Sequence, residues 1–471
     1  MVKTYKERSN VHTFHPSILR EYDIRGVFNE TLFPQDFYSI GRLFAELVRE
    51  KKKGQQARIA VGFDGRLSTP HLVEALHRGL FEEKAYVVSI GCGPTPMASF
   101  SHYVLDVDAV LMVTGSHNPA THNGIKITLQ KKPFFGQEIQ NLSVRLKNLS
   151  SISSSPHEPF FETFDIRDLY VEKLLEGFTF KKPLKIVWDA GNGSAGDIIE
   201  RLIKYIPGEH ILLNTKIDGN FPAHHPDPTV PENLEQLKDQ ILKNKADLGF
   251  AFDGDGDRLG VMDGKGRILW GDQILILLAQ GVLKTIPGAP IIADVKASQL
   301  LFDKIEEFGG VPVMERTGHS LIKSKMREMK APLAGEMSGH IFFADRYYGY
   351  DDALYAALRF LEILNTSSKS LYELYDDLPK RENTPEIRIE SAGKDKKEIL
   401  KKIKEDLLKE GISFNDLDGI RATFKEGWWG LRASNTQDVL TMRLEAETNE
   451  GLQCLKKGLF DRLKSFGIQV E

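Results

Sequence analysis

Short apolar runs punctuated by polar, glycine-rich turns organise this chain, and three of the runs end in an acid. They are Arg58-Ile59-Ala60-Val61-Gly62-Phe63-Asp64, Lys185-Ile186-Val187-Trp188-Asp189 and Pro290-Ile291-Ile292-Ala293-Asp294. Runs of this length between turn residues predict buried strands. Between them the apolar spacing becomes helical. Phe37, Ile40, Leu43, Phe44, Leu47 and Val48 share one face of a helix expected over 34–51, and a second helix over 71–82 precedes a strand over 86–90. This alternation predicts α/β layers.

After each acid-ended strand come further β/α material, a second apolar run and then a polar loop containing glycine. Ala109 to Val113 leads into Thr114-Gly115-Ser116-His117-Asn118-Pro119. Leu248 to Phe252 leads into Asp253-Gly254-Asp255-Gly256-Asp257-Arg258, and Ala331 to Ala334 into Gly335-Glu336-Met337-Ser338-Gly339-His340. We read three related α/β domains, each sending one loop from the same end of its sheet into a shared central cleft. Beyond residue 382 the character changes. Segments 385–389 and 419–424 are strand-like, 395–410 is a charged amphipathic helix, Val439 to Glu445 alternates apolar with polar, and a last helix spans 449–466. A smaller C-terminal α+β domain with a half-exposed antiparallel sheet is expected. The boundaries fall at 1–159, 160–265, 266–381 and 382–471, the first beside the low-complexity stretch Ser150 to Pro156, which reads as a surface linker.

A chain of 471 residues is long enough for three or four such domains. Its 62 basic and 66 acidic side chains leave a net charge of -4, so nothing draws the whole molecule to nucleic acid or to an anionic membrane. Any anion site must be local. The stretch Met1 to Arg8 has no apolar signal core and no later run has bilayer length, which predicts a cytoplasmic protein. Cys92 and Cys454 lack metal-ligand spacing and fit structural roles in a reducing compartment.

Ser116, on a loop at a strand's C-terminal end, is either a turn and capping residue or a nucleophile. Gly115-Ser116-His117-Asn118-Pro119 does not match the G-x-S-x-G elbow of a serine hydrolase. Asp253, Asp255 and Asp257, separated by glycines, can turn three hard oxygens toward one point, which suits Mg²⁺. A calcium loop starting at Asp253 would need Gly at Arg258 and Glu at Gly264. The acceptor and donor groups of the Glu336 and Ser338 loop can bond vicinal sugar hydroxyls. Arg432-Ala433-Ser434-Asn435-Thr436 offers a guanidinium, two hydroxyls and an amide, which make either a phosphate cradle or a plain polar hairpin. Lys126, ten residues beyond Ser116, matters if it turns inward. Gly191-Asn192-Gly193-Ser194-Ala195-Gly196 fits a dinucleotide fingerprint, but the next strand ends in Asn214-Thr215 without a ribose-binding acid, so tight helix packing is the expected reading.

Together these loops point to phosphoryl transfer on a sugar phosphate. In this ordered set the chain resembles the phosphohexomutases, in particular their bacterial phosphomannomutase/phosphoglucomutase branch, from about Tyr22 to the C-terminus. Further matching stretches are Tyr22 to Gly26, Gly62 to Arg66, Gly93 to Pro96, Lys296, Thr317 to Ser320 and Tyr347 to Asp352. The resemblance implies four domains around a cleft and a phosphoserine at Ser116 that works through a hexose 1,6-bisphosphate. It implies Mg²⁺ on Asp253, Asp255, Asp257 and a Ser116 phosphate oxygen. Glu336 and Ser338 would hold sugar hydroxyls, with His340 also in contact with the substrate. Arg432, Ser434, Asn435 and Thr436 would grip the non-reacting phosphate with help from Tyr22 and Lys296. Arg25, Lys126, Arg258, His319 and His340 would supply positive charge and proton transfer. Hexose phosphates are the expected ligands and hexose 1,6-bisphosphate the activator, with a monomer or weak dimer as the working form. The chain departs from the family pattern at Gln437-Asp438, after the phosphate segment, and at Asn118 to Asn123. The neighbouring phosphoglucosamine mutases, a non-catalytic sugar-phosphate binder and a Mg²⁺-dependent phosphatase are the competing readings.

Overall fold

The computed structural model describes residues 12–149, 155–391, 393–433 and 439–469. The helix expected from apolar spacing runs over Pro34–Lys51, opening on a proline where an N–H would have no partner anyway. Its inner residues Phe37, Ile40, Leu43, Phe44 and Val48 are wholly buried. The strand expected over 86–90 continues to Cys92, and the helix over 71–82 starts at Thr69.

The elements make four sheets. In the first, Arg58–Phe63 lies parallel to Ala109–Val113 and to Tyr86–Cys92, and His122–Leu129 returns antiparallel along Ala109–Val113 with Ile125 opposite Val113. In the second, Leu184–Asp189 lies parallel to Leu248–Phe252, and Leu259–Asp263 returns antiparallel with Leu259 opposite Phe252. In the third, Pro290–Asp294 lies parallel to Leu333–Gly335, and Ile341–Phe343 returns antiparallel with Ile341 opposite Gly335. One device is thus used three times. An acid-ended strand lies beside the strand that feeds the loop, and an antiparallel strand takes the chain back, so each loop is clamped at both ends. The three α/β domains expected from the repeated pattern are present.

The return strands were not expected. In His122–Leu129 only Ile125, Ile127 and Leu129 mark a buried face, and Asn123-Gly124 breaks the alternation before it. Lys126 stands on the other face, toward Asp255 and Asp257 of the second domain. In the fourth sheet Val439–Ala446 pairs antiparallel with Gly427–Ala433, which pairs in turn with Ile420–Thr423. Gly427–Ala433 hides from pattern reading because Trp428 and Trp429 are both buried, one on each face.

One apolar core runs through the first three domains, from Val110 and Met112 of the first sheet through Trp188 and Phe250 to Leu278 and Tyr355. The C-terminal domain has its own core around Ile403, Leu407, Trp429 and Leu459. It meets the third domain through directional polar bonds, in which Arg421 donates to the carbonyls of Val295 and Ala297 at 2.7 Å each and Glu445 accepts from the Gln299 N–H at 2.9 Å. The first three loops are therefore fixed to one another by shared packing. No helix among the described residues is long and apolar enough to cross a membrane.

Candidate active site

Ser116 sits in a tight turn in which the Asn118 N–H donates to the Gly115 carbonyl at 3.0 Å. Its own φ is 51°, a left-handed conformation that costs an L-residue about 1–2 kcal/mol. Surrounding bonds hold it there. The Ser116 N–H donates to Thr114 Oγ1 at 2.9 Å, the Gly115 N–H to Asp64 Oδ2 at 3.0 Å, and Arg25 to the Gly115 carbonyl and to Asn118 Oδ1. The acid that ends the first strand thus braces the loop fed by its neighbour. The outcome is a buried hydroxyl that donates to Asp253 Oδ2 at 2.9 Å and lies 3.1 Å from His117 Nδ1. Burial, then the charges of Arg258 and Arg25, pull the His117 ring well below the usual histidine range, leaving it neutral.

Across from Ser116, Asp253, Asp255 and Asp257 are fully buried, each offering an oxygen within 4.8 Å of the others. The glycines between them are required by contact. A Cβ on Gly254 would lie 2.4 Å from the Ser116 carbonyl oxygen, and one on Gly256, at φ 71°, 2.9 Å from Pro94 Cβ. Asp253 Oδ1 accepts the N–H groups of Asp257 and Arg258 at 3.0 and 3.1 Å. Asp255 Oδ2 accepts from Lys126 at 2.7 Å and from Thr114 at 3.2 Å, and Lys126 also donates to Asp257. Lys126 does turn inward. Asp255 Oδ1 and Asp257 Oδ1 remain buried with no hydrogen-bond partner among the described residues. Burial, then the neighbouring Asp255 and Asp257, raise the Asp253 carboxyl well above its usual range. Burial also presses on Asp255, but the Lys126 ammonium outweighs it and holds that group below its usual range. Orphaned carboxylate oxygens beside a third carboxylate make a group whose chemistry fits a metal ion.

The glycine turn at Gly191 to Gly196 abuts this loop. A Cβ on Gly193 would lie 2.8 Å from the Gly254 carbonyl, one on Gly196 1.9 Å from that of Thr215, and Ser194 N–H donates to the Gly254 carbonyl at 3.0 Å. Its glycines serve close packing, as expected.

From the third domain, Glu336 is buried with Oε1 accepting the Gly318 N–H at 2.6 Å, and burial raises its carboxyl. Ser338 is half-buried on the same loop. His340 joins the sites. Its Nε2 accepts from Arg258 Nε at 3.1 Å, and its Nδ1 lies 3.1 Å from Asp351 Oδ2 and 3.5 Å from Asp257 Oδ1. His319 stacks on His340 with centroids 5.5 Å apart, and Lys323 donates to Asp351 Oδ1 at 2.8 Å. Burial and then Lys323 hold the His319 ring well below the usual histidine range. Arg25, Lys126, Arg258, His319 and His340 therefore converge on one face of the cleft.

On the other side, Arg432 Nε lies 2.9 Å from Asp418 Oδ2 and Lys296 Nζ 3.3 Å from Glu386 Oε2. Thr317 joins them to the first domain, because its carbonyl accepts from the Tyr22 hydroxyl at 2.9 Å and its N–H donates to Asp418 at 3.1 Å. Ser434, Asn435 and Thr436, with Gln437 and Asp438, lie outside the described residues. Sequence reading assigns no role to Asp64, Lys323, Asp351 or Asp418, nor to Thr95, whose hydroxyl donates to Asp255 Oδ2 at 2.5 Å. The acid closing the first apolar run was a signal for Asp64, but the partners of the others are distant in sequence.

Models of one family match successive parts of the chain. Phosphoglucomutase/phosphomannomutase alpha/beta/alpha domain I matches residues 16–150, domain II 168–266, domain III 270–381, and the C-terminal domain 386–461. A phosphomannomutase/phosphoglucomutase of Pseudomonas aeruginosa is 41% identical over 453 residues, covering 96% of both chains. A phosphoglucomutase of Neisseria gonorrhoeae is 40% identical over 438 residues, 93% of this chain and 94% of that one. A crystal structure of a phosphoglucomutase/phosphomannomutase family protein from Burkholderia thailandensis superposes with a TM-score of 0.89 at 41% identity, covering 96% of this chain and 98% of the other. With the same four-domain architecture and this similarity over nearly its whole length, the chain belongs to the phosphoglucomutase/phosphomannomutase family.

Proposed function

We propose that the protein is a phosphohexomutase that interconverts hexose 1-phosphates and hexose 6-phosphates of mannose, glucose or both. One observation carries the reading. The buried Ser116 hydroxyl, on a strained backbone, bonds Asp253 at 2.9 Å, beside two carboxylate oxygens without partners among the described residues. In this reading Ser116 carries a phosphoryl group. A sugar hydroxyl attacks it, the P–Oγ bond breaks as the new P–O bond forms, and the hydroxyl proton passes to the protein. The resulting 1,6-bisphosphate reorients, its other phosphate returns to Ser116, and the proton goes back to the sugar oxygen.

Each cluster then has a task. Arg25 and Arg258 contribute charge, and proton transfer falls to Lys126, His319 or His340. Asp253, Asp255 and Asp257, with an oxygen on Ser116, would hold Mg²⁺, which supplies charge neutralisation to a transition state governed by positioning and electrostatics. Glu336 and Ser338 bind the sugar hydroxyls in either orientation, with His340 in contact. Arg432, Ser434, Asn435 and Thr436 grip the distal phosphate, assisted by Tyr22 and Lys296. The same proposal takes hexose 1,6-bisphosphate as activator, the cytoplasm as the site of action, and a monomer or weak dimer as the working form.

The test is the specificity constant for mannose, glucose and glucosamine 1-phosphates, measured side by side with Mg²⁺ and a trace of glucose 1,6-bisphosphate. Comparable rates on mannose and glucose are expected. A strong preference for glucosamine would move the protein to the neighbouring branch, and release of inorganic phosphate without any activator would make it a phosphatase.

A further inference from the structure

Arg66 is buried to 2% exposure, and every N–H of its guanidinium is used within the protein. Nε donates to Asp64 Oδ2 at 3.2 Å. One terminal nitrogen donates to the carbonyls of Pro119 at 2.6 Å and His122 at 2.9 Å, the other to those of Ser116 at 2.7 Å and Asn118 at 2.6 Å. Four carbonyls of the serine loop are thus gathered by one planar cation. The fit is close enough that a Cβ on Gly115 would lie 2.3 Å from Arg66 Nε. With all its donors satisfied, Arg66 has none left for a substrate phosphate.

The second domain covers this arginine. A Cβ on Gly219 would lie 2.7 Å from Arg66 Cα and 2.6 Å from the Gly65 carbonyl, so the 217–221 loop rests directly on the Arg66 turn. Phe221 stands at φ 51° and sets its ring centroid 5.1 Å from the guanidinium carbon. A phenylalanine in the left-handed region persists only where its surroundings hold it, and here its ring meets the face of Arg66.

We propose that Arg66 is the positioning residue of the serine loop, fixing the left-handed Ser116, and that Phe221 seals the face of its guanidinium from the second domain. The inference rests on Ser116 being the group that carries the phosphoryl. A lysine cannot replace it, since three donors radiating from one nitrogen do not meet four carbonyls around a plane.

Arg66→Lys is expected to lower kcat about 100-fold, as for a reacting group displaced by about an ångström. KM for glucose 1-phosphate should stay within about threefold, because the proposed grip on the distal phosphate is untouched. Methylguanidinium, and not methylammonium, should restore turnover to Arg66→Ala. Should these chains not fold, Phe221→Asn, which tolerates the left-handed backbone, should lower kcat about fivefold while Phe221→Tyr keeps it. Turnover of Arg66→Lys within about threefold of wild type overturns the role, as does wild-type turnover in Phe221→Asn or a KM that rises in step with the loss of kcat. The control is the intact mass of the wild-type protein incubated with glucose 1,6-bisphosphate. A phosphorylated wild type with an unimpaired Arg66→Lys refutes only the positioning role, whereas a wild type that is never phosphorylated refutes the nucleophile reading and this role with it.

Discussion

Replacing Asp253 with asparagine should stabilise the metal-free protein while abolishing turnover. Asp253 faces two further buried carboxylates whose oxygens lie within 4.8 Å. At that separation, and with an effective dielectric constant near 20, each pair repels by about 3 kcal/mol. Lys126 and Arg258 offset part of this, leaving roughly 2–3 kcal/mol stored in the cation-free site while Asp253 is ionised. Asparagine removes the charge and keeps the bonds. Its carbonyl can accept the N–H groups of Asp257 and Arg258 that Asp253 Oδ1 now accepts at 3.0 and 3.1 Å, and its amide can donate to the Ser116 hydroxyl. Thermal unfolding in EDTA at alkaline pH, where the ionised form is favoured, should therefore shift upward by roughly 3–4 °C. Added MgCl₂ should raise the transition of the wild type by more than that of Asp253→Asn, because only the wild type gains a full set of carboxylate ligands. A fall in the EDTA transition of Asp253→Asn would refute the reasoning, since it would mean that the charge itself holds the two loops together.

Other outcomes follow from single contacts. Arg432→Ala should raise KM about 10- to 100-fold with kcat nearly unchanged, as expected for a charged phosphate contact present in ground and transition states alike; steady-state kinetics in which kcat falls and KM holds would remove Arg432 from phosphate binding. Gly254→Ala places a methyl group 2.4 Å from the Ser116 carbonyl, so turnover should drop about 100-fold, and unchanged kinetics would show that the two loops can part freely. Burial lowers the pKa of His77 to about 4, and its Nε2 has no hydrogen-bond partner among the described residues. An unfolded histidine titrates near 6.5, so the unfolded chain binds the extra proton and stability is lost as pH falls from about 6.5 toward 4, by about 2 kcal/mol at pH 5. His77→Leu should flatten that dependence in thermal scans from pH 7 to 5, and an unchanged slope would assign the acid sensitivity elsewhere.

Much of the architecture could be read from hydrophobic pattern because each α/β domain repeats one local device. Arg58–Phe63, Leu184–Asp189 and Pro290–Asp294 are apolar almost throughout, as strands covered on both faces must be. Their end residues, and the loops fed by the strands beside them, carry the polar chemistry. The return strand His122–Leu129 was harder to see, since its alternation is short and begins only after Gly124, where a Cβ would lie 2.2 Å from the Ile24 carbonyl. The loop residues Ser116, Asp253, Asp255, Asp257 and Glu336 were visible because glycine-rich spacing at a strand end is a local signal. Asp351 was not, because its service to His340, His319 and Lys323 depends on how a helix and two loops of the third domain meet. Arg66 falls within a matching stretch, but its task lies in carbonyls some fifty residues away, as the 50-residue separation from Ser116 shows. Gly427–Ala433 escapes pattern reading for another reason, since its two adjacent buried tryptophans, Trp428 and Trp429, give no strand-like alternation.

The measurement closest to the central claim is the intact mass of wild-type protein and of Ser116→Ala after incubation with glucose 1,6-bisphosphate, before and after a chase with glucose 6-phosphate. The account predicts a wild type heavier by one phosphoryl group that the chase removes into bisphosphate, and a folded Ser116→Ala chain that never gains the mass and does not turn over. A wild type that stays unmodified while converting hexose 1-phosphate, or a Ser116→Ala chain that keeps near-normal turnover, would contradict it.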